Sequence, residues 1–342
     1  MIDFRYHLVS IVAIFLALAV GLLLGSTVLR PYALKGLQAV SKGQQREIDS
    51  LLQTRDQLQR EITANNQFAQ ANATQLLRQL LDGEQVVLVL APGAPESVTS
   101  GVAEALDAAG ATVTGHLQLQ APFFDTSPTG SEKLAQLVQH LAPPGLSLAG
   151  SAQAQASELI ANSVMTKDGP GDPVAGQRDS ASAAVINGLS AEGFLTPSGN
   201  PWNRATLAVV IIPAAPASAN DSNAPSQALV TLAQQLDLAG QGTVVAGSIA
   251  GSGPGSAIDV MRAGGREGHL SSVDNADTPS GQIVVVQALF DRMHGKSGSY
   301  GVASTANAGA PSPAPTVSPT ATATSVATNT NAKPGRQVKA TP

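Results

Sequence analysis

From Leu8 to Leu29 the chain carries no charged residue and is built mostly of Leu, Ala, Val and Ile. At about 1.5 Å per helical residue such a run covers a ~30 Å hydrocarbon core, so the chain is either fixed at a membrane or led to one. A cleavable signal peptide is the competing reading: Arg5 supplies a basic start, and Ala17-Leu18-Ala19 fits a small-x-small cut. Apolar residues continue well past that triplet, which a signal peptide does not require, and residues 1–30 are therefore read as a retained anchor. Arg5 lies before the span and Arg30, Lys35 and Lys42 after it, so counting basic residues does not fix the side. The expected topology is that of an ordinary N-terminal anchor: one pass through the cell membrane, with the C-terminal bulk extracytoplasmic.

Residues 31–83 read as a coiled-coil stalk. Between Leu37 and Leu81 there is no Pro and, apart from Gly43, no Gly, so one helix of about 65 Å is expected. With Leu37 set at a, the column a contains Gln44, Leu51, Leu58, Asn65 and Asn72. A second column, taken as d, contains Ser41, Ile48, Arg55, Ile62, Ala69 and Leu76. The apolar members concentrate from Ile48 to Ile62. Ile48, Leu51, Leu58 and Ile62 are thus the candidate partner-binding seam, with Asn65 setting register. The occupant is a second copy, making a homodimer, or a helix of another envelope protein. The alternative is a single amphipathic helix lying on the chain's own globular domain.

From Gln85 the pattern changes to β-branched runs alternating with Ala-rich helical stretches, the signature of an α/β domain with a parallel, Rossmann-like sheet over residues 84–297. Val86 to Leu90 and Leu207 to Ile212 are continuous apolar runs, as expected of strands covered on both faces. Each is followed by a Pro- and Ala-rich turn, a helix (Glu96 to Ala109; Pro225 to Leu238) and a further strand (Ala111 to Leu119; Gly242 to Ile249), which suggests a duplicated strand-helix-strand unit. Helical segments near Ser131 to Leu141, Ser151 to Met165 and Ala181 to Leu189 would form an insertion beside the sheet. A last helix through Ile283 to His294 has Asp277 as its expected N-cap and Pro279 in its first turn. Residues 298–342 are rich in Ala, Pro, Ser and Thr and read as a disordered tail.

Composition removes whole classes of chemistry. The 19 Lys and Arg against 24 Asp and Glu give a charge of −5, which argues against nucleic acid as a partner. There is no Cys, hence no thiolate ligand, Cys nucleophile or disulfide. Aromatics are 3% of the chain, too few for the two girdles of a transmembrane β-barrel. The turns after the two apolar strands lack the glycines of a phosphate cradle. Gly247 to Gly253 contains a Ser but is no nucleophile elbow. Ser271 to Asp277 gathers oxygen ligands that would suit a hard cation, with capping and turn hydrogen bonds as the plainer account. Copper would need Met or His. Met165, Met261, Met293 and His7, His116, His140, His269, His294 form no Met-x-x-Met or His-x-His pair. The residues point to a noncatalytic protein with no cofactor of its own, and they leave the metal-ligating residues unassigned.

The N-terminus adds a resemblance. Met1-Ile2-Asp3-Phe4-Arg5-Tyr6-His7-Leu8-Val9-Ser10, continuing through Phe15 to Gly21 and Leu24-Gly25, resembles the opening of the actinobacterial copper transport protein B family (MctB, also called SteB). Val273 to Gln282 is similar to that family's segment before its last helix. The resemblance implies an envelope protein of copper efflux or homeostasis, with outer-membrane association. It also implies, for related members, a scaffold acting with a membrane partner in cell separation and septal peptidoglycan hydrolysis. No catalytic residue comes with it. A single helix and a soluble α/β domain leave no closed lining for a self-contained pore.

Overall fold

The computed structural model describes residues 4–26, 30–146, 148–214, 223–264 and 270–314. The chain divides into two compact units, Met1–Ala71 and Asn72–Pro342.

The first unit is helical. Helix α1 (Phe4–Leu24) buries none of its side chains in the protein, although it is apolar on all sides. A helix of that kind is stable only in a nonaqueous surround, and among the described residues it alone is long and apolar enough to cross a membrane. Helix α2 (Arg30–Leu77) begins with Pro31 in its first turn, where a missing N–H costs nothing. Pro31 therefore opens the second helix rather than closing the first. The helix also stops short of the expected Leu81, because Gln79 takes a positive φ of 60°. That turn lets Leu77, Leu80 and Leu81 enter the core of the second unit, with the Leu81 N–H donating to the Ala109 carbonyl.

The second unit is a seven-stranded sheet in the order β3-β2-β1-β4-β5-β6-β7. Strands β1 (Gln85–Leu90), β2 (Thr112–Leu119), β4 (Leu207–Ile211), β5 (Gly242–Ala246), β6 (Ser271–Val273) and β7 (Ser299–Tyr300) are parallel, and β3 (Leu195–Gly199) is antiparallel at the edge. β1 and β4 lie side by side at the centre, Val86 opposite Leu207 and Leu90 opposite Ile211. From them the chain steps outward in opposite directions. Through helix α3 (Glu96–Ala108) it reaches β2, and through helix α7 (Ala224–Ala239) it reaches β5. Right-handed crossovers with opposite steps put the two helices on opposite faces of the sheet.

One face carries Val87, Val89, Ala208, Val210 and Val245. Covering it are helices α4 (Pro128–Leu141), α5 (Ala152–Val164), α6 (Ser180–Ala191), α7 and α8 (Ala257–Ala263). The expected insertion thus forms much of this layer. The other face packs under α3 and helix α9 (Pro279–Met293), which touch each other. A Cβ at Gly281 would sit 1.8 Å from the Asn275 carbonyl oxygen, so the start of α9 closes on its turn only with glycine there.

Two boundaries differ from the sequence reading. The N-cap of α9 is Thr278, whose hydroxyl accepts from the Gly281 N–H, and not Asp277, which is exposed one residue earlier. The tail does not begin at residue 298: β7 pairs with β6, and Tyr300 bridges to Ala308. Residues 315–342, the remainder of that expected tail, lie outside the described residues.

Candidate functional site

Ile48, Leu51, Leu58, Ile62 and Asn65 all lie on α2. Their exposures in the single chain are 49% for Ile48, 64% for Leu51, 53% for Leu58 and 50% for Ile62, and Asn65 is exposed as well. Large apolar side chains repeated at this spacing and left open along one helix face are the usual mark of a helix partner. The 3.6-residue turn also corrects the labelling of the columns. Ile48 precedes Leu51 by three residues, which is the step from a to d, so the isoleucines occupy a and the leucines d. Arg55 falls at an a position, where its guanidinium is turned aside to Asp56, Nη2 to Oδ1 at 2.6 Å.

The candidate cation segment is already occupied from within. Asp274 is fully buried and paired to Arg262, Nη1 to Oδ2 at 2.9 Å, with side-chain exposures of 0% and 3%. The Arg262 Nε–H donates to Ser272 Oγ, and Nη2 to the Tyr300 carbonyl. The N–H groups of Val302 and Ala303 donate to Asp274 Oδ1. The oxygens gathered here bind an arginine and the backbone of residues 302–303, and a hard cation would have to displace that arginine. Nothing in the sequence spacing revealed this pairing, since Arg262 precedes a segment that the sequence marks only as a turn.

The copper-ligand inventory is dispersed. Met165 and Met261 are buried in the core, at the end of α5 and in α8. His116 is half-buried on β2, where burial lowers its pKa. His140 is exposed in the last turn of α4, and His294 caps α9 with Nδ1 2.7 Å from the Phe290 carbonyl. His269 lies outside the described residues. No group of three or more His, Cys, Asp or Glu that could hold a metal ion occurs among the described residues. Among the described residues the donor set therefore does not fit a copper centre within one chain.

At the sheet's central switch point the first turn, Ala91 to Pro95, leads into α3 with no side-chain cap. Gly93 there has a φ of 78°. The matching turn after β4 falls partly in residues 215–222, outside the described residues. Gly247 to Gly253 contains a short 3-10 turn, Ile249–Ser252.

Comparison with known proteins bears on the whole chain. Residues 1–311 match the family described as "Copper transport outer membrane protein, MctB". This chain belongs to the MctB family. The relative named "Copper transporter MctB" from Mycobacterium tuberculosis (strain ATCC 25618 / H37Rv) is 29% identical over 315 residues, covering 90% of this chain and 98% of that protein. The relative of the same name from Mycobacterium leprae (strain TN) is 29% identical over 324 residues, with the same shares covered. The N-terminal and Val273 to Gln282 motifs that carried the resemblance both fall within the matched span. For this MctB-family chain the second of those motifs has a visible structural purpose: it contains Asp274, the turn against Gly281 and the cap of α9.

Proposed function

We propose that this MctB-family protein serves copper homeostasis at the cell envelope as a noncatalytic, single-pass anchored protein whose bulk lies outside the cytoplasm. In this reading it acts by position and contact. The supporting observation is the exposed Ile48-Leu51-Leu58-Ile62 seam on α2, placed between a lipid-compatible helix and an α/β unit. The dispersal of Met and His among core and separate surface positions favours a copper role exerted through a partner over chelation by this chain alone. The open sheet, covered by helices on both faces, is a soluble body and lines no channel.

The test is complementation. A strain lacking the protein regains copper tolerance with the wild-type chain but not with the Leu51→Asp, Leu58→Asp double variant, although both reach the membrane in equal amount. Equal tolerance with both chains would remove the seam from the function. The resemblance also implies a scaffold in cell separation, and that role rests on the same seam. Chained, unseparated cells at normal copper tolerance would identify it.

A further inference from the structure

We infer that the occupant of the α2 seam is a second copy of this chain, docked parallel and in register as a two-stranded coiled coil. The inference rests on the reading of α2 as a docking helix and names its partner. With the columns correctly labelled, Ile48 and Ile62 stand at a and Leu51 and Leu58 at d, the arrangement that favours two parallel strands over three or four. Ala69, the next residue of the a column, is buried against its own chain, so the open seam runs from Ile48 to Asn65, about two and a half heptads. Asn65 at d faces itself only when the copies are parallel and unshifted. A polar residue in the seam then penalises every other register, because it would meet an apolar residue without a hydrogen-bonding partner.

The flanking positions agree. Glu47 and Glu61 occupy g, and a parallel partner offers them Leu52 and Asn66 at e, neither of them acidic. Turned antiparallel, g faces g. One register overlapping the apolar stretch then brings Glu47 opposite the partner's Glu61 twice, and the other sets Asn65 against the partner's Ile48. The residue least suited to a self-pair, Arg55, already directs its charge to Asp56 at b, out of the seam. The anchor acts in the same sense. Two copies inserted in one membrane through α1 send α2 off in the same direction, since only residues 25–29 separate the two helices.

The chain has no Cys, so disulfide mapping needs no background removal. Full-length variants Leu51→Cys, Leu58→Cys and, at the outward f position, Arg60→Cys are oxidised in native membrane vesicles with a disulfide reagent. The expected result is a species of doubled mass for Leu51→Cys and Leu58→Cys, at least tenfold more abundant than for Arg60→Cys. Equal yields from all three variants would overturn the parallel seam. So would cross-linking that appears only when Leu58→Cys is mixed with Ile48→Cys, the antiparallel signature. A bifunctional maleimide that captures a species of another mass at Leu51 and Leu58 would overturn the second copy as occupant while leaving the docking helix intact. Seam cysteines that react fully with a monofunctional maleimide and cross-link to nothing would remove both.

Discussion

The Arg262 guanidinium reaches Ser272, Asp274, Thr305 and the Tyr300 carbonyl, and so ties α8, β6 and the C-terminal segment to one buried point. Removing one member of such a pair strands the other charge without water, which typically costs 3–5 kcal/mol, roughly, whereas replacing both is far milder. Arg262→Met should therefore destabilise the folded second unit by about that much in urea unfolding of the full chain in detergent. Adding Asp274→Asn should restore part of the loss. A loss below about 1 kcal/mol would show that the pair is not desolvated as the geometry requires.

Asp179 makes a different, pH-dependent contribution. Burial works to raise its pKa, but hydrogen bonds from Arg204, Ser182 and the Ala181 N–H outweigh it and hold the carboxyl below the usual carboxylate range. A depressed folded pKa stabilises the fold above the unfolded value, near ~3.9, and that contribution is lost as pH falls below it towards the folded value. Asp179→Asn should accordingly be less stable than wild type at pH 7. The gap between the two should close on acidification below about pH 4. A gap independent of pH would mean that the carboxylate is not the source. Neither ion pair could be read along the chain, because Asp179 and Arg204 are distant in sequence and the pairing of Asp274 depends on a tail segment with no apolar pattern.

Among the elements, those that form by burying apolar side chains were legible and those that form by backbone pairing were not. Val86 to Val89 and Leu207 to Ile211 announce themselves as fully buried strands, and α3 and α7 follow at the expected places. β3 reads Leu-Thr-Pro-Ser-Gly and β7 only Ser-Tyr. Edge strands such as these are held by hydrogen bonds to a neighbour already in place, so their own composition carries little signal. The same reason explains why the tail looked disordered from residue 298. Ending the chain at Ser297 removes β7, the Tyr300 carbonyl from Arg262 and the Val302 and Ala303 donors from Asp274. Thermal unfolding of that truncation should shift down by several degrees, a loss of about 1–3 kcal/mol for a buried carboxylate left short of donors. A chain ended at Ala314 keeps every one of these contacts and serves as the control. If both truncations melt together, β7 is an accessory without energetic weight.

For the molecule as a whole, the order of parts decides what it can do. An apolar helix near the N-terminus is followed by a helix with an open apolar seam, and then by a body tied together by buried ion pairs such as Arg262–Asp274. The body was legible as α/β from its periodicity. The side of the membrane was not, because Arg5 on one flank and Arg30, Lys35 and Lys42 on the other act against each other. Topology therefore has to be measured at a residue that no fold contact restricts. Leu238 is 65% exposed near the end of α7, and in a chain without Cys a Leu238→Cys variant carries a single thiol. A membrane-impermeant maleimide should label it in intact spheroplasts to the same extent as after lysis. Cytoplasmic placement of the body would give labelling only after lysis. That result would deny the seam any envelope partner on the outer side and would move the protein's contribution to copper handling to the inner face of the membrane.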